Sequence, residues 1–304
     1  MNTDLLVDTP RPTVAAEALR TKAELRAAVA SARRAGASVG LVPTMGFLHE
    51  GHLSLIRAAR AQCDLVVMSL FVNPTQFGAG EDLERYPRDE ERDLRLAGEA
   101  GADLVFAPPV GEVYPEGFVS AVEVSGDLTA VLDGDPDRRG SQHFRGVTTV
   151  VAKLFNIVGP DVAYFGQKDG QQALVIRRMV RDLDFPVQIE VLPTVRESDG
   201  LAMSSRNSYL APADRERAVA LSRALAAAER GARGGSLAQG LEAARRELAA
   251  AGIEAEYLEA RDAETLEAVA ELGERPVLVA LAARVGAARL IDNVLIEPHR
   301  TTNT

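Results

Sequence analysis

Residues 43–60 read PTMGFLHEGHLSLIRAAR and put His49 and His52 three positions apart beside Gly46 and Gly51. The chain has only four histidines in 304 residues, so half of them fall in one tetrapeptide. Such a pair is open to zinc binding, phosphate binding or plain packing. A zinc helix of the HExxH type needs its histidines at i and i+4. Here they stand at i and i+3 with Glu50 between them and no third ligand nearby, so the zinc signal is weak. Phosphate fits better. A loop that leaves an apolar run and opens a helix, with glycines removing side-chain bulk, turns backbone N–H groups and a helix N-terminus toward an anion. An imidazole there donates a hydrogen bond when charged or in the right neutral tautomer. The alternative, caps or loop fillers, is weighed against the position: open α/β sheets bind ligands at the carboxyl ends of their strands.

Three further stretches carry similar chemistry. FGQKDGQQ (165–172) offers Lys168 as a compact cation for phosphate and Asp169 as an acceptor for ribose hydroxyls. A solvated polar turn capping the next helix is the competing reading. TVRESDGLAMSSRNSYL (194–210) offers the Ser204 and Ser205 hydroxyls and the planar fork of Arg206, a match to polyphosphate. FVNPTQFGAGEDLERYPRD (71–89) holds Asn73 and Gln76, amides able to fix a small polar ligand. Gly78 and Gly80 in the same stretch could hinge a lid. An ordinary long loop is the alternative, although long loops inside compact domains are usually functional or disordered.

The elements that must hold these loops alternate. SVGLVP (38–43) reads as a strand, HLSLIRAARAQ (52–62) as a helix and DLVVMSLFV (64–72) as a strand. RDEERDLRLAGEAG (88–101) then reads as a charged amphipathic helix and ADLVFAP (102–108) as a strand. GVTTVVAKLFNIVGPD (146–161) and QQALVIRRMVRDLD (171–184) read as helices, with strands VAYF (162–165) and VQIEVLP (187–193) following them. This alternation predicts βαβ units and a Rossmann-like parallel sheet. Beyond about residue 194 the texture changes. Ala-rich helices, PADRERAVALSRALAAAERGAR and LAQGLEAARRELAAAG, are split by the Gly-rich turn GARGGS. Three strand-like runs follow, IEAEYLEARD, PVLVALAARVG and ARLIDNVLIE. The expectation is an α/β domain over 1–194 and a smaller α+β domain with an antiparallel sheet over 195–304.

Composition bounds the rest. The chain is 46% hydrophobic and 26% charged, an ordinary globular balance for a sizeable core. A formal net charge of −10 argues against a general nucleic-acid or anionic-membrane binder. No apolar run approaches the ~20 residues that span a bilayer. The N-terminus MNTDLLVDTPRP lacks the pattern of a signal peptide and reads as a loose arm. The lone Cys63 precludes an intrachain disulfide and reads as a buried, inert thiol. His299 reads as a solvated terminal residue. The expected location is cytoplasmic.

Taken together, PTMGFLHEGH, SLFVNPTQF, YPRD, GQKDGQQ and VRESDGLAMSSRN resemble the pantothenate synthetase (pantoate–β-alanine ligase) family, in order and at similar spacing, over nearly the whole chain. More distantly, HEGH and AMSSR resemble the HIGH and KMSKS elements of adenylylating nucleotidyltransferases. The resemblance implies an ATP-dependent condensation of pantoate with β-alanine through a pantoyl adenylate, releasing AMP and pyrophosphate. It also implies Mg²⁺ and a homodimer. By similarity, Met45, Gly46, Phe47, Leu48, His49, Glu50, Gly51 and His52 wrap the ATP phosphates. His49 and His52 lie beside the α-phosphate, with His52 as proton donor or charge stabiliser. Gly166, Gln167, Lys168 and Asp169 hold the nucleotide, Val195 packs at the adenine, and Met203, Ser204, Ser205 and Arg206 clamp the polyphosphate. Catalysis is implied for His52, His49, Lys168 and Arg206. Gln76 and Gln172, with Asn73, hold pantoate or β-alanine. Val147, Val150 and Val151 are candidates for the wall facing the gem-dimethyl group, core packing being the alternative for each.

Two departures stand out. The family usually has Glu, then Lys-Asp-Tyr-Gln-Gln, after this glycine, where this chain has Gln167 and Gly170. Gly170 removes an aromatic wall and loosens a helix start. After YPR the family often has two adjacent acidic residues, where this chain has Arg92 and Asp93, so Asp93 alone is the candidate Mg²⁺ ligand. Two rivals stay open: a nucleotidyltransferase that stops at its nucleotide product, and a nucleotide-binding regulator without catalysis. The glutamines argue against the first, and the intact His49, His52, Lys168 and Arg206 against the second.

Overall fold

The structure, a computed structural model, describes residues 16–298. The expected N-terminal arm and His299 lie outside the described residues. The first part of the chain runs β1 (Glu17–Leu19), α1 (Lys22–Arg34), β2 (Val39–Thr44), α2 (Glu50–Gln62), β3 (Leu65–Leu70), α3 (Glu90–Ala100) and β4 (Leu104–Phe106). It continues through α4 (Val110–Val113), α5 (Ser141–Val158), β5 (Val162–Gly166), α6 (Gly170–Asp182) and β6 (Gln188–Leu192). The rest is α7 (Pro212–Ala218), α8 (Ala220–Gly234), α9 (Leu237–Ala250), β7 (Ala255–Asp262), β8 (Val277–Val285) and β9 (Ala288–Ile296).

Six strands form one parallel sheet in the order β1-β4-β3-β2-β5-β6. Both of its faces are covered, which is why its strands read as continuous apolar runs rather than alternating ones. Leu41, Val67, Phe106 and Phe165 face α1 and α5, while Val42, Val66, Met68 and Val105 face α2 and α3. The chain proceeds from β2 to β3 and β4 in one direction, then returns to place β5 and β6 on the other side of β2. The strand order therefore reverses between β2 and β5, and ligands of such sheets bind outside the carboxyl ends at that switch point.

The second sheet is antiparallel, in the order β7-β8-β9. One face packs on α8 and α9 through Leu225, Leu248, Val279 and Leu281. The other face presents Leu278, Ala280 and Ala282 to Phe144 of α5 and Val175 of α6. A sheet apolar on both faces must be covered twice, and here its second cover is the first part of the chain.

The fold class is as expected, with local differences. β1 and α1 were not legible as elements. β1 is three residues long, too short to display a period, and α1 is only modestly apolar, with Leu25 and Val29 as its buried residues. What starts α1 is a capping box, in which the Thr21 hydroxyl accepts from Glu24 N and the Glu24 carboxylate accepts from Thr21 N. α5 begins at Ser141 rather than Gly146, which brings His143 into the helix. The first Ala-rich helix is split at Val219, and α8 runs on to Gly234, so that only Gly235 and Ser236 separate it from α9. Cys63 is buried, with its sulfur 3.6 Å from the Tyr164 hydroxyl.

Candidate active site

Loops from the carboxyl ends of β2 and β5 open on one cavity, and the segment after β6 closes it from the side of the second sheet. Met45, His49, Gly51 and His52 line it from the first loop, and Gly166, Lys168 and Asp169 from the second. Val195, Met203, Ser204, Ser205 and Arg206 line it from the third, and Asn73, Gln76, Gln172, Val147, Val150 and Val151 complete the predicted set. Four separate stretches of sequence thus meet in one place.

The first loop is shaped by its backbone. Gly46 has φ +87°, and a Cβ there would lie 2.5 Å from a Leu70 methyl and 2.9 Å from the Asp93 carboxylate. Phe47 also sits in the left-handed region, at φ 51°. These two residues aim the Phe47 and Leu48 amides at Asp93, whose two oxygens accept them at 2.7 Å each. Several of the expected residues stand off the cavity. Asp93 does not line the cavity. It is buried, and burial raises its carboxyl above the ordinary range while the two amides pull it down. Its oxygens secure the loop through the two amides. Nor do Gly46, Phe47, Leu48 or Glu50 line the cavity: Leu48 is core, and the Glu50 carboxylate pairs with Arg57. Gln167 likewise stays outside the lining, bonded to Asn293.

The histidines are neutral. Burial, with Lys168 adding to it, pushes His49 down to about 4. Burial and the neighbouring His49 push fully buried His52 well below its ordinary value. The rings stack at 4.0 Å between centroids. His52 Nδ1 accepts from the His49 amide at 3.4 Å, which leaves the proton on Nε2. His143, not singled out from the sequence, is held near 4 by burial and by Arg139. All three are therefore uncharged in the fold but ionise near 6.5 when unfolded. Between about pH 4 and 6.5 the unfolded chain binds protons that the folded chain refuses. Stability is thus expected to fall as pH drops from 6.5 toward 4, by up to about 1.4 kcal/mol per pH unit for each histidine. Urea unfolding midpoints across that range check this; a flat profile would contradict the neutral assignment.

Asn73 lines the cavity with its side chain engaged by the protein. Its Nδ2 donates to Gln76 Oε1 and to the Gly146 carbonyl, each at 3.1 Å. Its Oδ1 accepts from Thr75 N, the Thr75 hydroxyl and the Tyr114 hydroxyl. Both of its amide hydrogens are engaged in this arrangement. Because Asn73 presents an N–H to Gln76, the Gln76 oxygen faces Asn73 and its Nε2 faces Met45 and the cavity. Gly146 makes this turn possible, since a Cβ there would stand 2.4 Å from the Thr75 carbonyl. Gly146→Ala is expected to displace the turn that carries Gln76 and to lower stability by about 1–3 kcal/mol, the range for overpacking a well-packed site. A thermal scan checks it, and an unchanged midpoint would contradict the contact.

The loop 78–88 is fastened over the third loop by groups the sequence did not single out. Asp82 accepts two bonds from Arg206 at 2.9 Å, and the Tyr86 hydroxyl lies 3.0 Å from that of Ser205. Burial disfavours the Arg206 charge, but Asp82 outweighs it and holds the guanidinium above its ordinary value. Glu81 makes a paired contact with Arg139, which also meets His143 Nε2 at 3.0 Å. Tyr86 opens the YPRD motif, while the signals available for the others were RRGSQH across the start of α5 and the acidic pair after Gly80, neither of which has a distinctive spacing.

The comparisons with known proteins bear on the same stretches. The family model for pantoate–β-alanine ligase matches residues 17–295. The chain belongs to the pantoate–β-alanine ligase family. Its activity is that of the family, the ligation of pantoate with β-alanine. Among its relatives, the pantothenate synthetase of Moorella thermoacetica is 57% identical over 92% of this chain and 99% of its own length. Pantothenate synthetase 1 of Bradyrhizobium diazoefficiens is 55% identical over 90% and 96%. The crystal structure of pantothenate synthetase from Thermus thermophilus superposes with TM-score 0.86 at 51% identity, over 93% of this chain and 100% of that one. A Francisella tularensis ligase, solved with β,γ-ATP and β-alanine, superposes at 0.77 and 32%, over 92% and 98%.

Proposed function

We propose that this ligase works in two steps in the one cavity. The pantoate carboxylate attacks the α-phosphorus of ATP, giving pantoyl adenylate and pyrophosphate. The β-alanine amine then attacks the acyl carbon and AMP departs. Activation is needed because a carboxylate offers only oxide as its leaving group. What carries this reading is the convergence of the His49–His52 loop, the Lys168–Asp169 turn and the Ser204–Arg206 segment on the β2/β5 switch point.

The cavity lining supports the following division of roles. His52, neutral and protonated on Nε2, donates toward the α-phosphate, with His49 beside it. Lys168 and Arg206 supply positive charge where the departing pyrophosphate gathers negative charge. Asp169 accepts from ribose, and Val195 with Met203 takes the adenine side. Gln76 Nε2 and Gln172 hold pantoate, and Val147, Val150 and Val151, buried and yet lining the cavity, meet its methyl groups. Arg206 reaches phosphate by exchanging Asp82 for it, so nucleotide binding is coupled to movement of the 78–88 loop, which gates the water-labile adenylate. Mg²⁺ would neutralise phosphate charge when it accompanies ATP. Among the described residues no cluster of three acidic, histidine or cysteine donors forms a protein cage for it, so its ligands would come largely from the nucleotide phosphates and water. The division of labour between 1–194 and 195–304, the homodimer and the cytoplasmic location are part of the same reading.

The test is AMP release from Mg-ATP with pantoate and β-alanine each omitted in turn. AMP that accumulates only with both present supports the reading. ATP binding without turnover would overturn it in favour of a regulator, and turnover with a different carboxylate would overturn the substrate.

A further inference from the structure

β9 is an edge strand of its sheet, and two adjacent residues on it reach two loops of the cavity through side chains on opposite faces. Asp292, 2% exposed, accepts a bidentate pair from Arg196 at 2.6 and 3.1 Å. Arg196 also donates to the Gly200 carbonyl, within a hairpin whose Met203 N bonds the Val195 carbonyl at 3.0 Å. Asn293, 6% exposed, turns to the other loop. Its Nδ2 donates to the Gln167 and Lys168 carbonyls at 2.8 and 2.9 Å, and its Oδ1 accepts from Gln167 Nε2 at 3.0 Å. Both N–H groups of Asn293 are thus spent on the loop, so although it lines the cavity it acts on a ligand through that loop.

The consequence lies in the peptide planes. There are no cis peptide bonds among the described residues. In a trans peptide the carbonyl and the following N–H point in opposite directions. Holding the Gln167 and Lys168 carbonyls on Asn293 turns the Lys168 and Asp169 amides away from β9. Gly170 fits the same arrangement: a Cβ there would lie 3.2 Å from both Asn293 Nδ2 and Gln167 Nε2. The two departures noted in this motif, Gln167 and Gly170, are therefore both members of one contact with Asn293. A glutamate at 167 would have no N–H for the Asn293 oxygen.

We infer that Asn293 is a positioning residue for the nucleotide, setting the Gln167–Lys168 peptide groups while its neighbour Asp292 sets the Arg196 hairpin, so that one strand aligns both loops. This rests on the proposed placement of ATP. The test is calorimetric binding of ATP, and separately of pantoate, to the whole protein and to Asn293→Ala, Asn293→Asp and Gln167→Ala/Asn293→Ala. Asn293→Asp keeps the shape but removes both donors. Both single variants are expected to weaken ATP about tenfold, in keeping with the lost bonds, and to leave pantoate unchanged. The double variant should be little worse than Asn293→Ala, because the two side chains share one contact. Unchanged ATP affinity, near-wild-type behaviour of Asn293→Asp, or equal weakening of ATP and pantoate would each overturn the inference. Failure of the unaltered protein to bind ATP would instead overturn the placement of the nucleotide.

Discussion

Lys168→Ala is expected to lower kcat/KM for ATP about 10²–10³-fold, the range found when a preorganised donor to developing charge is removed. The ammonium stands at the carboxyl end of β5, its side chain 20% exposed and 3.6 Å from the Asp169 carboxylate. It faces the same cavity as the two histidines, and both feel its charge. In the first step negative charge moves onto the departing pyrophosphate, and of the lining cations assigned to phosphate only Arg206 would remain. The same substitution carries an independent signature. Burial depresses His49 most and Lys168 adds to it, so removing the ammonium is expected to raise the His49 pKa above about 4 while leaving it below its ordinary value. Histidine NMR titration reads that shift without turnover. Full activity with an unmoved His49 would contradict the placement of Lys168.

Asp93→Asn is expected to weaken ATP binding about tenfold and to lower the thermal midpoint, with no change in the Mg²⁺ concentration that gives half-maximal activity. An amide keeps one acceptor oxygen but presents N–H groups to the second backbone amide. One buried N–H then loses its partner, at a cost of about 1–3 kcal/mol. The loop it holds is costly in its own right, since Phe47 occupies a left-handed conformation that ordinary side chains avoid. Freed of Asp93, Phe47 is expected to relax and carry His49 and His52 out of register. A raised Mg²⁺ requirement without loss of stability would point to the metal-ligand assignment instead.

Most of the scaffold was legible because its signals are local. Buried parallel strands gave continuous apolar runs, and Gly101 and Gly159, both in the left-handed conformation, end α3 and α5 as glycines after helices do. The motif loops were legible because their residue types are unusual in sequence. What sequence could not show was which polar atoms would be spent on the protein itself. Asn73 and Asp93 carry ligand-like groups, yet both are consumed by neighbouring backbone and side chains, at Gly146 and at Phe47 and Leu48. Conversely, Arg139, His143 and Asn293 reach the cavity from distant stretches with no spacing to announce them. Asp292 and Asn293 do leave a trace, a polar pair inside an apolar strand run, RLIDNVLI, whose use depends on an edge strand meeting another part of the chain.

The central claim is that the carboxylate is activated before the amine is needed. Exchange of labelled pyrophosphate into ATP, measured with pantoate present and β-alanine absent, tests it most directly. Rapid exchange that requires pantoate and persists without β-alanine is expected. Exchange that appears only when β-alanine is added, or label passing through inorganic phosphate with ADP as product, would contradict it.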